Sequence, residues 1–176
     1  MTSNGIPPLA QLAANFRRMG LTQTAALVES ECDALVEQFG PLTPWRANPR
    51  TLPDWLANYV AQLQLHAQRC ERLGDVGGQL GYLIGASLLA QVVAGQARPN
   101  AQQAQGLVAK AQYVVAKAFE RIEAAREAEF TAARCISERR WQEAKRAALG
   151  QRAREQQVAE LTAVQTRLQN LLGGAA

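Results

Sequence analysis

The sequence predicts an all-α fold, on three observations. No segment shows the two-residue alternation of a half-buried strand. Wherever large apolar residues are periodic, they recur at steps of three and four. The periodic segments are also separated by glycine and proline, the residues that stop helices. The expected architecture is a helical bundle over residues 1–122. A long charged C-terminal helix or helical hairpin, coiled-coil-like, follows over 123–176.

Pro7 and Pro8 open a short first helix that carries Leu9, Leu12 and Phe16 on one side and ends at Gly20. Thr22 or Thr24 is placed to cap the second helix, which reaches about Phe39. Its apolar face is Val28, Cys32, Leu35, Val36 and Phe39, and its other side is acidic through Glu29, Glu31, Asp33 and Glu37. Prolines from 41 to 49 then impose an irregular linker, because each removes a donor and displaces its predecessor from helical geometry. Within that linker, Trp45 and Arg46 read either as an exposed anchor for another protein or as a lid over the core.

Thr51, Pro53 and Asp54 supply a cap, an early proline and a first-turn acid for the third helix. The stripe assigned to it is Trp55, Tyr59, Leu63, His66, Cys70 and Leu73, widened by Leu56 and Val60. Gly74 and Asp75 mark a break or a tight bend. Residues 76–96 contain no charge, so the fourth helix is apolar nearly all round until Arg98, Pro99 and Asn100 end it. Asn100 caps the fifth segment, whose apolar arc is Leu107, Val108, Ala111, Val114, Val115, Ala118, Phe119 and Ile122.

Beyond Ile122 the large apolar residues are isolated, and charges fall on every side of the helix. Val158, Leu161, Gln165, Leu168 and Leu172 alternate steps of three and four, a short heptad-like seam. At Gly150 two paths are open. A helical hairpin there is slightly preferred over one continuous helix of about 70 residues, roughly 105 Å long.

Three features bear on function. The fourth helix holds Gly77, Gly81 and Gly85, an uninterrupted G-x-x-x-G-x-x-x-G. Each glycine costs a helix about 1 kcal/mol relative to alanine, so three on one stripe imply compensation by the close approach of another backbone. The stripe and the Val158, Leu161, Leu168 and Leu172 seam are therefore the expected helix-packing or oligomer surfaces. The stretch is also about long enough to span a bilayer, which takes roughly 20 residues. Gln79, Tyr82, Ser87 and Gln91 lower its hydropathy, so a buried helix or self-association seam is preferred to insertion.

The second feature is charge. Residues 1–100 balance at seven bases and seven acids, whereas 101–176 carry twelve against eight. Arg134, Arg139, Arg140, Lys145, Arg146, Arg152 and Arg154 surround Trp141, an arrangement that suits phosphates and one stacked base. Glu138 and Glu143 lie at helical spacing to these bases, which favours a solvated or partner-facing arm instead. Head-to-tail contact between the acidic second helix and the basic arm of another subunit is a further expectation.

Third, His66 and Cys70 lie one turn apart, as a nucleophile and base or half a metal site would. Both fall in the apolar stripe assigned to the third helix, and His66 is the only histidine, so core roles are preferred. Phosphate loops, nucleophile elbows and metalloprotease or calcium-loop patterns are absent. The sequence thus reads as a non-enzymatic scaffold, adaptor or assembly subunit, without catalytic, cofactor or metal residues. Its partner would be another protein or itself, with nucleic acid second and a membrane third. Three cysteines, an odd number without short-range spacing, and a start without a signal-peptide pattern suggest the cytoplasm. The alanine-, arginine- and glutamine-rich composition is bacterial, plasmid or phage in style.

Overall fold

The computed structural model describes residues 6–45 and 52–173, with side chains to 167. Among the described residues there are five helices and no strand: α1 (Pro7–Arg18), α2 (Thr22–Phe39), α3 (Asp54–Leu73), α4 (Val76–Ala94) and α5 (Ala101–Gly173). The all-α expectation holds. The loop residue Arg46, the cap residue Thr51 and the side chains of Leu168 and Leu172 lie outside the described residues. The chain divides into two compact units, Met1–Glu129 and Phe130–Ala176.

In the first unit, local chemistry sets the helix ends. Gly20 and Gly74, at φ +81° and +72°, occupy the left-handed region and stop α1 and α3 there. Asp75 caps α4 by accepting from the Gly78 amide at 2.8 Å. Asn100 and Gln103 begin α5 with a reciprocal box. The Gln103 amide donates to Asn100 Oδ1 at 2.8 Å, and the Asn100 amide donates to Gln103 Oε1 at 3.0 Å.

Two apolar clusters share α4. Leu80 and Ile84 point into one with Leu9 and Phe16 of α1, Val28 and Leu35 of α2, and Val115 and Ile122 of α5. Ala86 and Leu89 point into the other with Leu56, Val60 and Leu63 of α3 and Val108 of α5. Serving both clusters explains why α4 is apolar all round. Each fully buried leucine or isoleucine here contributes roughly 1.5–3 kcal/mol. On α5 the buried positions Ala104, Val108, Ala111, Val115, Ala118 and Ile122 alternate steps of four and three, and from Val108 onward they fall within the expected arc.

Three expectations need correction. The buried face of α3 is Leu56, Val60, Leu63 and Ala67, rotated from the assigned stripe. Leu73 and His66 are exposed and Trp55 is over a third exposed. The aromatic spacing looked like a core stripe, but the smaller aliphatic residues pack the interface. Neither Thr22 nor Thr24 caps α2 with its side chain: the N-cap is Leu21, with no side-chain cap bond. Finally, the chain does not turn at Gly150, and α5 continues through it. One glycine costs about 1 kcal/mol, which the surrounding alanine, arginine, glutamate and glutamine absorb.

The missing cap comes from α5. Glu129 accepts from the Gln23 amide at 3.1 Å, the Thr24 amide at 2.8 Å and the Thr24 hydroxyl at 2.7 Å. A carboxylate at a helix N-terminus satisfies orphan donors and opposes the positive end of the dipole. Burial alone would push the Glu129 carboxyl up, but the Thr24 hydroxyl and the amides of Thr24, Gln23 and Thr22 hold it below its usual 4.5. A lowered folded-state value means its stabilisation is present above that pH and lost as pH falls through the folded value. Glu129→Gln is therefore expected to lower the melting temperature at pH 7 by a few degrees and to shrink the difference near pH 3, read by circular dichroism. An equal deficit at both pH values would refute the ionised cap.

Candidate interaction surface

The glycine stripe faces α5 inside the first unit. A methyl group at Gly77 would lie 3.1 Å from the Phe119 ring, and one at Gly81 would lie 3.3 Å from the Gln112 Cα. At Gly85 it would lie 3.1 Å from both Val108 γ carbons and 3.3 Å from the Val108 Cα. Compensation for the three glycines is thus a helix of the same chain. Two polar residues of α4, Ser87 and Gln91, also have hydrogen-bond partners within the fold. Ser87 accepts from the Thr43 amide at 2.8 Å, and the Gln91 amide group donates to the Phe39 carbonyl at 3.3 Å, satisfying the end of α2. By length and composition α4 is able to cross a membrane, at mean hydropathy 1.4. Here its glycine face meets α5.

Much of the acidic face of α2 is used internally as well. Glu29 pairs with Arg17 at 2.6 Å. Glu31, nearly buried, takes a two-pronged bond from Arg121, with Nε to Oε1 at 2.6 Å and Nη2 to Oε2 at 2.8 Å. Asp33 and Glu37 stay exposed. The expected head-to-tail contact with a basic arm therefore has only part of that acidic surface available.

His66 and Cys70 part company on α3. His66 is exposed and stacks on Tyr82 at 5.1 Å, and no hydrogen bond joins it to Cys70 among the described residues. Burial and the Asp75 carboxylate push the Cys70 thiol up, away from the reactive thiolate. No cluster of three His, Cys, Asp or Glu side chains forms among the described residues. Trp45 is half-buried against the α3–α4–α5 cluster, the position of a lid. A groove of about 590 Å³ opens above Gly77 and Gly81, beside Phe119. Its carboxylates are already engaged: Asp75 caps α4, Glu120 pairs with Lys117 and Glu123 pairs with Arg126.

The second unit is different in kind. Every residue from 130 to 167 is exposed, so no described side chain there is buried by the chain itself. Phe130, Ile136, Trp141, Leu149, Val158, Leu161 and Val164 are each more than half exposed. Arg134 approaches Glu138 at 3.8 Å, and Lys145 lies over the Trp141 ring at 5.1 Å. Among the described residues, Arg139, Arg140, Arg146, Arg152 and Arg154 make no ion pair. The expected seam residues Val158 and Leu161 are thus presented to solvent. What sequence reasoning missed is Glu129, whose partners lie over a hundred residues away.

The first unit is an all-α bundle, and the second is a helix whose apolar and basic side chains are exposed. No protein-family model, curated protein or solved structure matches the chain.

Proposed function

We propose that this protein is a non-enzymatic assembly subunit that associates with a second copy of itself through the helix of its second unit. The observation that carries this reading is the exposure of Phe130, Ile136, Trp141, Val158, Leu161 and Val164 along one uninterrupted helix. Isolated helices gain little from propensity alone, and most helical stability in proteins comes from packing an apolar face. A helix of this composition gains that packing from another helix. The glycine stripe, occupied within the chain, plays no part in this reading. Light scattering on nuclease-treated protein, at low and high salt, tests it: a salt-stable oligomer is expected, and a monomer at every concentration would refute it.

A second reading is nucleic-acid binding by the same arm. It is favoured by the bases without ion pairs and by Trp141 among them. It predicts that changing Arg139, Arg140 and Arg146 together to alanine weakens binding to DNA and RNA of any sequence. The salt slope should fall by about one for each phosphate no longer neutralised. Unchanged fluorescence anisotropy with labelled oligonucleotides at low salt would remove this reading.

A further inference from the structure

We propose that the arm of one copy pairs antiparallel with the arm of a second copy, centred near Leu149; this rests on the self-association reading. The heptad register of Val158 and Leu161, extended back along the unbroken helix, places Phe130, Ala133, Ser137, Arg140, Ala144, Ala147, Gln151 and Arg154 on the same seam. Parallel, in-register pairing would set Arg140 against Arg140 and Arg154 against Arg154. Like charges would then face each other twice in the seam, where desolvation makes them costly. It would also lay residues 130–149, with five bases and two acids, against the same stretch of the partner.

Antiparallel pairing removes the first conflict and lessens the second. Arg140 then faces Val158, Arg154 faces Ala144, and Ser137 faces Leu161. Flanking the seam, Ile136 meets Val164, and Trp141 meets Glu155. The strongly basic half now lies against residues 150–167, which carry three bases and two acids. At the middle, Ala147 faces Gln151, while Ala148 and Gly150 each meet their own counterpart. The small Ala147, Ala148 and Gly150 at the centre let the two backbones approach, and the large apolar residues lie towards both ends. Of the large apolar side chains exposed on the arm, only Leu149 is left on the outer face.

The test uses the full chain with Cys70→Ser and Cys135→Ser, leaving buried Cys32 in place. R140C and V158C are introduced singly and together, and L161C alone. Each protein is oxidised with glutathione disulfide and its mass read by light scattering and non-reducing electrophoresis. A dimer in which only the R140C/V158C double variant becomes covalently linked is expected. Self-linking of the single variants R140C, V158C and L161C would establish parallel arms and overturn the orientation while leaving self-association standing. A dimer with no link in any variant would place the contact elsewhere and overturn the arm pairing. A monomer would overturn the functional reading beneath it.

Discussion

Gly85→Leu is expected to abolish the cooperative melting of the bundle, whereas Gly106→Ala is expected to raise its stability. At Gly85 the first added carbon already sits 3.1 Å from both Val108 γ carbons and 3.3 Å from the Val108 Cα. A backbone atom cannot swing aside as a side-chain end does, so three further carbons would push α4 off α5. Overpacking a core typically costs about 1–3 kcal/mol. Here α4 belongs to both apolar clusters, so displacement disrupts each of them. A loss of at least about 3 kcal/mol is expected, a large share of the roughly 5–15 kcal/mol that holds a domain folded. Gly106 is helical and has nothing within 4 Å of its absent Cβ. Alanine there gains about 0.5–1 kcal/mol of helix propensity and meets no obstacle. Thermal and urea melts of both variants provide the check. If Gly85→Leu melts as the parent does, the close approach of α4 to α5 is not a structural requirement.

The other large effect is expected in the second unit. Val158→Glu together with Leu161→Glu removes two apolar side chains from each arm, four per pair. At roughly 1.5 kcal/mol or more for each buried side chain, the loss is about 6 kcal/mol. That corresponds to a dissociation constant raised by about four powers of ten, before charge repulsion is added. The variant is expected to run as a monomer in light scattering at concentrations where the parent is oligomeric. Both positions lie in the unit that starts at Phe130, so the melting of Met1–Glu129 is expected to persist. An unchanged mass would show that association, if present, does not use this seam.

Much of the helix plan was legible because its signals are local. Pro7 and Gly20 bracket α1, Gly74 and Asp75 separate α3 from α4, and Asn100 opens α5. Each acts through its own backbone or its neighbours' within one turn. The α3 stripe is less legible, since Trp55, Tyr59, His66 and Leu73 have the spacing of a face but not its orientation. Periodicity gives a direction on the helix only to within about one residue step, and the packing partner settles the rest. Gly150 differs for another reason: a breaker in isolation is tolerated inside a run of strong helix formers.

The amino-acid sequence by itself determined the all-α class, most helix ends, the uncharged α4 and the spacing of the Val158 and Leu161 seam. These follow from propensity, capping and charge, which act over a few residues. Only the tertiary structure decided that the Gly77, Gly81 and Gly85 face is taken by α5, that Arg121 holds Glu31, and that Glu129 caps α2. Those contacts join residues far apart in the chain, and nothing local selects one partner over another until the helices are packed together.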